Sequence, residues 1–173
     1  MKKLALALLL ASVFAPFASA DSTVGMSVSK ESGDMGEISS FSIYAQFTDI
    51  HSNFGYQIGT SLSDAEITDY SGFTDTYTAW EGFARVGYFS NIQLYLETGI
   101  DIGEMLVLDD HDSHHHYYDH REHNEVDYFF GGGFGLSQDN VDIKVFSRYR
   151  FIDGDYLWDT DGWFSGVEFS LHF

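Results

Sequence analysis

The chain has 173 residues, and its 27 acidic against 8 basic residues give a formal net charge of −19. That balance argues against nucleic-acid binding, which needs Lys and Arg to neutralise phosphates. Cysteine is absent, which excludes disulfides and thiolate-ligated metal, and an aromatic content of 17% argues against a disordered polyanion.

In chain order, the first element is an export signal. Lys2 and Lys3 form a basic start, residues 4–14 an apolar run, and Ala18-Ser19-Ala20 a small-residue cleavage site. The apolar run is shorter than the roughly 20 residues that a membrane-spanning helix needs. Residues 1–20 are therefore expected to be a signal peptide and residues 21–173 the folded domain. Removing the two lysines leaves six basic and 27 acidic residues, a formal charge of −21. No later stretch is apolar for about 18 residues, so no transmembrane helix is expected. The single proline, Pro16, falls in the signal, which leaves the domain free of proline, as long paired strands prefer.

From there on, side chains alternate with a period of two, the mark of strands with one oily and one wet face. Val24, Met26 and Val28 define a first strand (23–30), and Phe41, Ile43, Ala45 and Phe47 a second (37–48). Phe54, Tyr56, Ile58, Thr60 and Leu62 mark a third (54–64), and Trp80, Gly82, Ala84, Val86 and Tyr88 a fourth (77–89). The fifth (92–104) alternates Ile92, Leu94, Leu96 and Ile100 with Tyr95, Glu97, Gly99 and Asp101. The sixth (126–137) alternates Tyr128, Phe130 and Phe134 with Gly131, Gly133 and Gly135, and the seventh (141–151) Val141, Ile143 and Val145 with Lys144, Arg148 and Arg150. The last (162–173) sets Trp163, Val167, Phe169, Leu171 and Phe173 against Gly166, Glu168, Ser170 and His172.

Three connections are tight (49–53, 90–91, 138–140) and four looser (31–36, 65–76, 105–125, 152–161), and they alternate along the chain. Trp80, Tyr128, Tyr149, Phe151 and Trp163 fall at the loop ends of the oily faces, and Phe47, Phe54, Tyr88 and Phe173 at the turn ends. Two aromatic belts around an apolar band belong at the two membrane interfaces. The wet faces place Glu81, Arg85, Glu97, Asp101, Lys144, Arg148, Arg150 and Glu168 inward, where opposite charges must pair. A soluble sandwich or lipocalin-like barrel would turn the oily face inward instead. The inward glycines and charges, the belts and the terminal Phe173 favour an all-β fold: an eight-stranded antiparallel up-and-down transmembrane β-barrel. Short turns would be periplasmic, longer loops extracellular and both termini periplasmic. Eight strands leave an interior just filled by side chains, so no open pore is expected.

The closing stretch Val167-Glu168-Phe169-Ser170-Leu171-His172-Phe173 resembles the C-terminal signature of bacterial outer-membrane proteins. With the signal and strand number, the domain is similar in architecture to the small OmpX/Ail, opacity-protein and OmpA-transmembrane class. The resemblance implies a Gram-negative outer-membrane location, contact with membrane lipid and lipopolysaccharide, and recognition by the barrel-assembly machinery. Its members are adhesins, serum-resistance factors or structural barrels. A monomer is expected.

One loop, 105–125, carries a chemistry of its own. It holds six of the eight histidines: His111, His114, His115, His116, His120 and His123. Neutral imidazole is a common ligand for zinc, copper and nickel. Asp110, Asp112 and Asp119 add oxygen ligands. In a helix, His116, His120 and His123 would share one face. The expectation is a surface loop binding divalent transition metal, zinc by preference, with the metal not required for folding. The alternatives are a pH-responsive acidic loop or a structural or adhesive surface barrel that binds host or envelope components.

No enzyme is expected. Ser170, His172 and Glu168 share a face, the residue types of a lipid-modifying site, but i, i+2 neighbours on a strand lie about 6.6 Å apart, which argues against direct bonds. His51 falls in a turn and is read as solvated. Tyr156, Leu157 and Trp158 suit contact with the outer leaflet, or a partner protein, and Asp153, Asp155, Asp159 and Asp161 offer a weak calcium pattern.

Overall fold

A computed structural model describes residues 20–69, 71–107, 126–152 and 161–173. Eight strands run β1 (Ala20–Gly33), β2 (Gly36–Asp49), β3 (Phe54–Thr68), β4 (Thr74–Phe89), β5 (Ile92–Asp101), β6 (Tyr128–Gln138), β7 (Val141–Phe151) and β8 (Gly162–His172). A short helix, α1 (Ile102–Val107), follows β5. Each strand pairs antiparallel with its sequence neighbour, and β1 pairs with β8 to close the barrel. Closure leaves no sheet edge along the paired stretch, the condition for spanning a membrane with strands.

The faces divide as the alternation demands. Val24, Val28, Ile43, Leu62, Val86, Leu94, Leu96, Leu136, Ile143, Val145 and Val167 all point outward and are exposed. Glu31, Glu81, Arg85, Glu97, Asp101, Asp142, Lys144, Arg148, Arg150 and Glu168 point inward and are buried. An exposed apolar surface of this extent has no stable home in water, and against hydrocarbon it is the expected surface of a transmembrane barrel. The aromatic belt at the loop end is a stacked series: Tyr128 on Phe151 at 4.3 Å, Phe130 beside Tyr149 at 5.8 Å, and Tyr149 edge-on to Trp163 at 5.4 Å. At the turn end Phe47 stacks on Tyr56 at 4.9 Å.

Several boundaries differ from the sequence reading. The β1–β2 connection is a two-residue turn, Asp34-Met35, rather than a loop over 31–36. β3 and β4 extend to Thr68 and Thr74, which shortens the expected loop 65–76 to five residues. The polar residues there still alternate, so pairing continues past the apolar band: Glu66 faces Thr76, and Asp64 accepts from Thr78 at 2.9 Å. Asp69 closes that turn by accepting from Ser71 and Phe73, and the Ser71 hydroxyl above all holds its carboxyl below the usual carboxylate range. β5 stops at Asp101 instead of 104, because Asp101 Oδ1 accepts the amides of Gly103 (2.6 Å) and Glu104 (3.2 Å) and starts α1.

The interior packs by pairing large against absent side chains. Across β1 to β6, inward partners in register read Gly25, Tyr44, Gly59, Phe83, Gly99, Phe129. A second row reads Gly87, Tyr95, Gly133, Phe146, Gly166. A Cβ at Gly99 would come within 2.3 Å of the Phe129 ring, and one at Gly133 within 2.4 Å of the Tyr95 hydroxyl. The glycines are the spaces the rings occupy, which accounts for the bare inner face of β6.

Two outcomes test this description. Leu96→Arg, on the outward face, is expected to cost about 2–4 kcal/mol if it lies at the bilayer midplane, read by denaturant unfolding in lipid. A change near zero would deny that this face meets hydrocarbon. Gly99→Ala is expected to destabilise by about 1–3 kcal/mol through overpacking, and by less in a Phe129→Leu background.

Candidate functional site

Three tiers fill the interior. At the loop end Met35, Ile38, Ala65, Ile67, Ile152 and Phe164 form an apolar plug, each no more than 6% exposed. The β1–β2 turn folds over the mouth to supply Met35, whose carbonyl accepts from Thr68 at 2.6 Å. The sequence pattern marks 31–36 as a looser connection and gives no sign of the plug.

Beneath it lies an alternating chain of charges. Arg150 donates to Glu81 (2.5 Å) and Glu31 (2.6 Å), and Arg148 to Glu31 (3.0 Å). Arg148 also grips Glu97 with two nitrogens at 2.8 and 3.1 Å. Arg85 joins Glu97 (3.0 Å) and takes Glu168 bidentately at 2.9 and 2.5 Å. Lys144 donates to Glu168 at 2.8 Å and lies 3.4 Å from Asp142. Ser61 and Ser63 donate to the second oxygen of Glu81 at 3.1 and 3.0 Å, bringing β3 into the network. Aromatic faces support the cations: Arg148 lies 4.7 Å from the Phe129 centroid and 4.3 Å from that of Phe146, and Arg85 4.9 Å from both Phe83 and Tyr95.

All eight charges predicted to point inward do so and are buried. Asp101 alone among them spends its carboxylate on the start of α1. Two further inward charges stand outside that set of eight. Glu31 is 1% exposed and bridges two arginines, but it precedes a turn-like Gly33-Asp34 and was read as loop. Asp142 lies on the same face as Lys144, a signal the alternation already contained.

At the turn end the Ser170, His172 and Glu168 row is not assembled as a nucleophile and base. Ser170 is fully buried, receives Lys144 at 2.9 Å and donates to Glu168 at 3.0 Å. That last bond corrects the spacing argument, since the long Glu168 side chain reaches along its own strand. His172 instead hydrogen-bonds the Asp139 carbonyl at 3.0 Å and sits 3.6 Å from Asp142. His51 is exposed, as expected of a turn residue.

The expected metal ligands Asp110, His111, Asp112, His114, His115, His116, Asp119, His120 and His123 lie outside the described residues, as do Asp153, Asp155, Tyr156, Leu157, Trp158 and Asp159. Among the described residues no group of three or more His, Cys, Asp or Glu side chains is arranged to hold a metal ion. The residues flanking the histidine segment are fixed at the loop end. Asp101 N donates to the Asp127 carbonyl at 2.8 Å, and Asp127 N to Glu104 at 2.9 Å.

No protein-family model matches the chain, and no curated protein matches it. Solved structures similar to the chain include two membrane barrels. One is a de novo designed transmembrane β-barrel, 10% identical, covering 87% of this chain and 95% of its own, with a TM-score of 0.49. The other is the Yersinia pestis outer membrane protein Ail in a phospholipid bilayer nanodisc, 12% identical, covering 88% and 100%, with a TM-score of 0.46.

Breaking the charge chain tests its role. Arg148→Met leaves Glu31 and Glu97 short of a partner and is expected to cost about 3–5 kcal/mol, measured by unfolding in lipid. Adding Glu97→Gln should recover part of that loss.

Proposed function

We propose that this protein is an outer-membrane surface barrel whose histidine-rich segment, 110–123, binds divalent transition metal outside the membrane, zinc by preference. The observation that carries the reading is the density of ligands: six histidines and three aspartates within fourteen residues. Neutral imidazole and carboxylate together suit zinc, with copper and nickel competing according to supply. Two features of the fold support it. Both flanks of the segment are tied at the loop end, through Asp101, Glu104 and Asp127. The barrel behind it is filled by its own charges and plug, which suits a scaffold for loops better than a pore. The membrane assignment rests on the exposed apolar face and buried ion pairs of the described strands.

A second reading is an adhesive or structural barrel. It is favoured by Phe73, exposed at the tip of the β3–β4 hairpin, and by the acidic outer wall of Glu37, Asp64 and Glu66 beneath that tip.

Calorimetric titration of the refolded protein with zinc tests the first reading. Binding at micromolar affinity or tighter is expected, and its loss when residues 110–123 are deleted from a barrel that still folds. Equal affinity in the deleted protein rejects the metal reading. A change in surface attachment on deletion, with metal content unaltered, supports the adhesive one.

A further inference from the structure

We infer that α1 is an interfacial anchor: its apolar face lies in the lipid headgroup boundary at the loop end, against the outer wall of β4. The side chains of a single helical turn carry this. Residues three and four apart share a face of a helix, so Ile102, Met105 and Leu106 lie together and Glu104 lies apart from them. Met105 is 48% exposed and Leu106 57%. Ile102 reaches the outward side of the barrel, where its Cδ1 fills the space beside Gly82 that a Cβ would enter, 2.7 Å away. The helix therefore packs on the outside of the wall, with two apolar side chains beyond Ile102 that no described part of the chain covers.

The position of that face says what covers it. Gly82 pairs with Ile100, and Ile100 with Tyr128. α1 thus begins directly above outward residues of the loop-end aromatic belt, where Trp80, Ile100 and Tyr128 are 44, 38 and 46% exposed. Met105 and Leu106 continue the surface that meets hydrocarbon, at the level where amphipathic helices lie in a membrane. The other side of the turn is polar and tied to the barrel rim. Asp101 Oδ1 accepts the amides of Gly103 and Glu104, and Glu104 accepts the Asp127 amide at 2.9 Å. Those bonds fix which way the helix faces, and they aim its apolar residues at lipid. α1 ends at Val107 and the histidine segment opens at Asp110, so one end of that segment is held at the membrane surface. The anchor stands whether or not the histidine segment binds metal.

The chain has no cysteine, so single nitroxide labels can be placed on the full chain in lipid nanodiscs. Met105→Cys and Leu106→Cys report on α1, Leu96→Cys on the apolar band and Thr76→Cys on the hairpin beyond it. All four positions are exposed, so the labels leave the interior packing intact. Collisions with oxygen, which concentrates in lipid, and with a water-soluble nickel chelate read the surroundings of each label. At 105 and 106 the oxygen-to-nickel ratio is expected to fall between the two references, several-fold above that at 76. A ratio equal to that at 76 would place the face in water. Low collision with both reagents would mean that protein covers it, either a second copy or another part of this chain. Each of these results overturns the inference. Leu106→Asp gives a second reading: nickel access at the 105 label is expected to rise several-fold, and an unchanged value would also overturn the anchor.

Discussion

Inside this barrel, four cations and their carboxylates are buried together, and each is held by oppositely charged neighbours. Arg150, Arg148, Arg85 and Lys144 alternate with Glu31, Glu97, Glu168 and Asp142 in one connected chain. Removing an interior member leaves two others short of a partner, which makes the set behave as a unit rather than as separate salt bridges. The outer surface obeys the converse requirement. Hydrocarbon accepts Val, Leu, Ile and Phe but no ions, so charge on the spanning strands has only the interior to go to. Four of the six basic residues beyond residue 20 are consumed there, while Lys30 pairs with Glu37 on the outer face at 2.6 Å. What the solvent meets at the loop end is accordingly strongly acidic.

Much of this was legible in the residues. Period-two alternation located all eight strands, and it placed Arg85, Glu97, Lys144, Arg148 and Glu168 on the inner face because a strand's geometry leaves a side chain only two directions. The errors cluster where pairing outlasts hydrophobicity. β3 and β4 run on through Asp64, Glu66, Thr76 and Thr78, whose outward side chains are polar because they stand beyond the lipid. Glu31 and Met35 were hidden by a Gly-Asp turn signal that marks a bend without saying which way it leans. α1 left no trace in a six-residue window. The histidine segment is the opposite case: composition makes its chemistry plain, and alternation says nothing about its shape.

The interior rings and glycines explain why a narrow barrel can hold so many long side chains. Each aromatic residue of the two rows lies opposite a glycine on a neighbouring strand, so its ring lies across the neighbour's backbone instead of projecting into the lumen. The arginines then rest on those faces, where the ring quadrupole offsets part of the loss of hydration. Glycine content that would weaken an ordinary sheet here makes room for the stems of the ion pairs. Gly135 and Gly131 lie against the Lys144 and Arg148 stems in this way.

The seam between β1 and β8 differs from every other pairing. Neighbouring strands meet across short separations, apart from β5 and β6, whereas Gly25 meets His172 only when nearly the whole domain has been drawn into a ring. Chain-closure entropy grows slowly with length but must be met before any contact compensates it. The bonds from Arg148 and Arg150 to Glu31 span 117 and 119 residues, and that from Arg85 to Glu168 spans 83. Until the ring shuts, those ions face partners not yet in place. Assembly is thereby pushed toward a single cooperative event, with half-built barrels penalised by the same charges that hold the finished one.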